Sequence, residues 1–142
     1  MFATQKKIKG TVVVVDDDSM MREMLKLILR GDDYSVIGEA SNGNDAIVKC
    51  EKLSPDLVLL DINMPKMDGL QALEGIRKVC PKAVVVMVSA ESTMDKVSEA
   101  IKKGAAGFIV KPLNTAIVLD SIAACFKEKS KHINASKTTN LP

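Results

Sequence analysis

Aromatic side chains are nearly absent: 142 residues include no tryptophan, one tyrosine and three phenylalanines. No basic stripe interleaved with aromatics occurs, so a surface that both stacks on and neutralises nucleic acid is not encoded. Cysteine is also scarce. Cys50, Cys80 and Cys125 are odd in number, far apart and without a second ligand at metal spacing, which suits reduced thiols filling a core in a cytoplasmic protein. No apolar run approaches the roughly 18 residues of a membrane span, and residues 1–10 hold no apolar signal region, so a soluble, cytosolic chain is expected. No internal repeat is visible. The formal charge of +2 misleads, because the ends hold Lys6, Lys7, Lys9, Lys127, Lys129, Lys131 and Lys137 against Glu128 alone, leaving residues 11–126 at about −4. An acidic body speaks against direct contact with DNA or RNA.

The chain contains short β-branched runs alternating with segments of helical period, the pattern of an α/β fold with a mainly parallel sheet. Strands are predicted near 11–16, 35–40, 56–61, 83–88 and 106–110, each followed by a helix. Ser19 can cap the first helix, with Met21, Met24, Leu25, Ile28 and Leu29 as its buried stripe. Asn42 or Asn44 starts the second, with Ala46, Ile47, Cys50 and Leu53 inward. The third runs from Gly69 to Val79, the fourth lies near 93–103 and ends at Gly104, and Asn114 caps a fifth whose Ile117, Val118, Ile122 and Phe126 face inward. The length fits one domain, 11–128, after an N-terminal extension over 1–10. Residues 129–142 are polar and lack periodicity, and are expected to form a disordered tail or linker.

Four of the apolar runs end in chemistry. Asp16 and Asp17 follow 11–15, Asp61 follows 57–60, Ser89 follows 84–88, and Lys111-Pro112 follows 108–110. In a parallel sheet covered on both faces, residues just past the carboxyl ends of the strands converge on one rim, where ligands bind. Three carboxylates crowded there cannot all ionise cheaply unless they share a cation. The hard oxygen set predicts Mg²⁺, which keeps several waters and takes a phosphate oxygen readily. Asp61 can then attack phosphorus and form an aspartyl phosphate, with Lys111 as the protein's own cation and the Ser89 hydroxyl as a donor to a phosphoryl oxygen. Taken singly, an acidic loop is usually just solvated, a serine after a strand is often a helix cap, and a lysine is often surface. Four such residues ending four different strands point to one site.

The strings VVDDDSMMR (14–22), LDINMPKMDG (60–69), MVSAE (87–91) and GAAGFIVKP (104–112) resemble, in order and spacing, the receiver domain of two-component response regulators, over about residues 10–128. The resemblance implies a flavodoxin-like, doubly wound (βα)5 fold with parallel sheet order 2-1-3-4-5. It implies that Asp61 accepts a phosphoryl group from a histidine kinase, that Asp17, Asp61 and the Asn63 carbonyl bind Mg²⁺, and that Asp16 holds a metal-bound water. Ser89 and Lys111 would contact the phosphoryl group, and Ser89 with Phe108 would form the switch. That switch alters the face made by the fourth helix, fifth strand and fifth helix, where Lys102 and Lys103 suit an acidic partner. Many relatives carry tyrosine where this chain has Phe108. Asn63 and Glu91 stand where the family tunes dephosphorylation, and Lys111-Pro112 where it has a cis peptide.

Other readings fit less well. A haloacid dehalogenase-type phosphatase also uses an aspartyl nucleophile with Mg²⁺, but there the nucleophile lies in the first strand with a second aspartate two residues on; here the residue two after Asp61 is Asn63. A flavodoxin-type FMN carrier needs a phosphate loop that Asp16, Asp17 and Asp18 would repel. An EF-hand at Asp61 fails on Pro65 at its third ligand position. The expectation is therefore a monomeric phosphoacceptor, not an enzyme beyond self-catalysed phosphoryl transfer and autodephosphorylation. With no further domain expected after 128, chemotaxis-type signalling by protein contact comes first. A phosphorelay carrier, or a receiver fragment of a larger DNA-binding regulator with 130–142 as linker, is the alternative.

Overall fold

The structure is a computed structural model and describes residues 7–139, with side chains to 130. Five strands alternate with five helices: β1 (Gly10–Val15), α1 (Ser19–Gly31), β2 (Tyr34–Ala40), α2 (Gly43–Leu53), β3 (Leu57–Asp61), α3 (Gly69–Val79), β4 (Val84–Ser89), α4 (Met94–Lys102), β5 (Gly107–Val110) and α5 (Thr115–Thr139). The sheet is parallel throughout in the order β2-β1-β3-β4-β5. This is the flavodoxin-like arrangement expected from the sequence.

Burial follows the two-residue period of the strands. Val13, Val15, Val58, Leu60, Val85 and Met87 pack on one face against Ala46 and Cys50 of α2, Leu70, Leu73 and Ile76 of α3, and Ala100 of α4. Val12, Val14, Leu57, Leu59, Val84, Val86 and Val88 pack on the other against Leu25 and Leu29 of α1 and Val118 and Ile122 of α5. Because helices cover both faces, the inner strands read as continuous apolar runs. Each aliphatic side chain fully removed from water here contributes about 1.5–3 kcal/mol. The three cysteines are free and buried, and burial pushes the Cys50 thiol up to about 12.

Several local expectations are corrected. The cap of α1 is Asp18, whose carboxylate accepts from the Met20 amide at 2.9 Å; Ser19 is already the first helical residue. Asn42 caps α2. Met24 and Ile117 face outward, because the stripes buried by Leu25 and Leu29 and by Val118 and Ile122 already fill the groove each helix covers, while Leu53 lies against Gly38 of β2 and stays 40% exposed. Helix α5 runs on to Thr139, so the stretch from Lys129 to Thr139, expected to lack regular structure, is helical. No glycine or proline occurs between 116 and 139 to stop it. Residues 1–6 of the expected extension and 140–142 of the expected tail lie outside the described residues. No helix among the described residues is long and apolar enough to cross a membrane.

Candidate functional site

The register of the sheet brings the four strand ends together. Val15 pairs with Leu60, so the next residues, Asp16 and Asp61, lie side by side across the β1–β3 crevice where the strand order reverses. Asp61 pairs with Val88 and Ser89 with Val110, which sets Ser89 and Lys111 on the adjoining strands of the same rim.

Asp16, Asp61 and Ser89 are the buried polar residues of the described chain, and Asp17 is exposed. Lys111 Nζ lies 3.0 Å from Asp16 Oδ2 and 3.7 Å from Asp61 Oδ1, so one ammonium serves two buried carboxylates. The Asn63 amide donates to Asp61 Oδ1 at 3.3 Å, and the Asp18 amide to Asp16 Oδ1 at 2.9 Å. Even so, Asp61 is pushed up to about 6, first by burial and then by the neighbouring Asp16 carboxylate; Lys111 and the Asn63 amide oppose this only in part. One oxygen from each of Asp16, Asp17 and Asp61 lies within 4.8 Å of the others. A set of hard oxygens with excess negative charge fits Mg²⁺.

The β3–α3 loop is shaped by Gly69. Its amide donates to the Ile62 carbonyl at 2.7 Å, and a Cβ there would stand 2.1 Å from the Asp61 carbonyl oxygen and 2.6 Å from Ile62 Cα. Only glycine lets α3 begin this close to the strand that carries Asp61. Asp68 and Gln71 close a capping box at the same point. The Lys111–Pro112 peptide is cis. Ser89 Oγ accepts from the Glu91 amide at 3.1 Å, while the Glu91 and Asn63 side chains are exposed beside the rim. Phe108 is half-buried against the layer of α2, α3 and α4. Lys103 is paired with Glu74 at 3.0 Å and Glu99 at 3.1 Å.

Residues 12–123 match the family model described as the response regulator receiver domain. The chain belongs to this receiver family. It is 45% identical over 116 residues to the chemotaxis protein CheY of Listeria monocytogenes, covering 82% of this chain and 98% of that protein. With CheY of Thermotoga maritima it shares 44% over 111 residues, 78% of this chain and 92% of that one. Among solved structures, that of the CheX–CheY–BeF₃–Mg²⁺ complex from Borrelia burgdorferi matches with a TM-score of 0.81 and 36% identity, covering 84% of this chain and 90% of that one. The protein is thus a CheY-like receiver domain.

One contact of this receiver was not foreseen from the sequence: Arg22 reaches from α1 to the Asp16 carbonyl and to Glu39 of β2. Its only sequence signal is an arginine one helical turn after the aspartate run.

Proposed function

We propose that Asp61 is the phosphoacceptor of a cytoplasmic, monomeric, chemotaxis-type response regulator. A carboxylate oxygen of Asp61 bonds to the phosphorus of a kinase phosphohistidine as the P–N bond breaks, and the departing imidazole takes a proton from water. Asp17, Asp61 and the Asn63 carbonyl would hold Mg²⁺, with Asp16 acting through a bound water; when bound, the ion neutralises charge on the transferring group. Lys111 would pair with a phosphoryl oxygen and Ser89 donate its hydroxyl to another. The observation that carries this reading is a buried carboxyl, pushed up to about 6, between two further carboxylates and a shared lysine.

The test is labelling with a small phosphodonor and Mg²⁺, read by intact mass. One phosphoryl group is expected on the wild type and none on Asp61→Asn; stoichiometric label on the variant would sink the assignment. Asn63 and Glu91 would tune the loss of phosphate by placing the attacking water. Replacing both with apolar residues should lengthen a lifetime of seconds to minutes, and an unchanged decay would remove that role.

The downstream surface is proposed to be α4, β5 and the start of α5. Met94, Ile101, Val110 and Ile117 leave apolar area exposed there, and Ala100 is the one buried residue of α4. A phosphoryl group that draws on the Ser89 hydroxyl would move the 90–93 loop leading into this lightly anchored helix, with Phe108 filling the space released. Amide shifts with beryllofluoride should spread to α4 and Phe108. Shifts confined to Asp16, Asp17, Asp61 and their neighbours would favour a passive phosphoryl carrier.

A further inference from the structure

Arg22 carries a contact pattern that the phosphoacceptor chemistry does not use. Its side chain is 17% exposed, its Nη1 donates to the Asp16 carbonyl oxygen at 2.7 Å, and its Nε donates to Glu39 Oε1 at 3.0 Å. Glu39 lies one residue before the end of β2, and its other carboxylate oxygen accepts from Lys26 Nζ at 2.6 Å. The hydrogen bonds from Lys26 and Arg22 hold the Glu39 carboxyl below the ordinary carboxylate range. Lys49 also donates to the Glu39 carbonyl, and the Asp16 amide donates to the Ala40 carbonyl at 3.1 Å. The end of β2 is therefore a fixed point, and Arg22 is the strut from it to the end of β1.

The oxygen that Arg22 grips belongs to the Asp16–Asp17 peptide. A peptide unit is planar, so fixing its oxygen fixes the direction in which the chain enters Asp17. Asp17 needs this more than its neighbours do. Asp16 is held through its side chain by Lys111 and the Asp18 amide, and Asp61 by Lys111 and the Asn63 amide. The Asp17 carboxylate is exposed, and no hydrogen bond or ion pair among the described residues holds it. With no side-chain partner, the Asp17 carboxylate depends on the backbone to place the Cα and Cβ from which it reaches toward Asp61. The charge of Arg22, which would by itself repel a cation from the rim, is countered by Glu39.

We infer that Arg22 is a positioning residue for Asp17: anchored on Glu39, it fixes the Asp16–Asp17 peptide so that the Asp17 carboxylate stays turned to the acidic site, and it thereby sets the affinity for a divalent cation. The inference rests on the reading of Asp17 as a metal ligand.

Geometry and charge predict opposite signs here, which makes the test sharp. Removing a positive charge near three carboxylates tightens cation binding if electrostatics alone decides. Losing the strut weakens it, by about tenfold if Arg22 behaves as partners of metal ligands commonly do. Mg²⁺ titration by calorimetry on the full chain should show Arg22→Met binding about tenfold more weakly than wild type. Glu39→Gln should show a smaller loss, and the double variant little beyond Arg22→Met. Affinity that is unchanged or higher in Arg22→Met overturns the inference, since a purely structural role lowers the melting temperature without weakening the folded protein's affinity. Should Arg22→Met not fold, Arg22→Lys keeps the charge but cannot reach both partners, and must also bind more weakly; equal affinity overturns the inference. A wild type that fails to bind Mg²⁺ at millimolar concentration overturns the metal reading itself, a result distinct from equal binding by both proteins.

Discussion

Asp61→Asn is expected to make the protein more stable by about 3 kcal/mol at neutral pH in a metal-free, chelating buffer. The folded protein holds the Asp61 carboxyl at about 6 against an ordinary 3.8, and on a group this buried that difference corresponds to roughly 3 kcal/mol of unfavourable ionisation. Between those two values the native state binds more protons than the unfolded chain. The stabilising contribution is therefore complete below about pH 4 and is lost as the pH rises through about 6. Asparagine keeps the shape and removes the charge, while Lys111 retains Asp16 as its partner. Denaturant unfolding at a series of pH values should show the two proteins converging near pH 4 and separating toward neutrality. Added Mg²⁺ should narrow the gap by stabilising the wild type through mass action. Equal stabilities at neutral pH in chelator would show that burial and the neighbouring carboxylates impose no such cost.

A second large effect is expected at Gly69. In Gly69→Ala the new methyl meets backbone, the Asp61 carbonyl oxygen at 2.1 Å and Ile62 Cα at 2.6 Å, so no side-chain rotation relieves the clash. Overpacking that moves backbone costs about 3 kcal/mol or more, and the displaced segment is the one that carries Asp61 and Asn63. Stability and Mg²⁺ affinity should therefore fall together. Gly75→Ala is the control. The atoms nearest its methyl belong to the Ile47 side chain, Cδ1 at 2.4 Å and Cγ1 at 2.9 Å, and movement of that side chain, unlike movement of backbone, is offset in part by the gain of about 1 kcal/mol from replacing glycine inside a helix. Near-wild-type unfolding of Gly69→Ala would mean that the loop yields where the packing says it cannot.

The strand ends were legible because burial on both faces makes β1, β3 and β4 continuous apolar runs, against which Asp16, Asp61 and Ser89 stand out as abrupt changes. Lys111 was legible because it closes the apolar run 108–110, although β5 is an edge strand in which only Ile109 is buried. What could not be read was anything that depends on which strands adjoin. Glu39 looks like an ordinary exposed residue of an edge strand until the pairing of β1 with β2 sets it beside Arg22. Helix faces were only partly readable: the apolar positions of α1 and α5 exceed what the sheet can cover, and nothing local says that Met24 and Ile117 are the ones left out. The extension of α5 escaped because residues 129–139 are polar and carry no amphipathic period from which a helix could be read. The pairing of Lys103 with Glu74 could not be read because Glu74 lies on another helix.

The unbroken burial of β3 and β4 has a further consequence. Every position of these strands before Asp61 and Ser89 is apolar enough for either core layer, so for those positions sliding a strand by one residue would exchange the two sets of side chains without exposing anything. Hydrophobic patterning alone therefore cannot align the sheet. The information that does so sits at the rim, since a slip that drew Asp61 inward would bury an unpaired charge between the layers, at a cost of several kcal/mol. The residues that weaken the fold by crowding negative charge also tell the strands where to end, so a chain relieved of them would gain stability while losing the mark that makes its alignment unique.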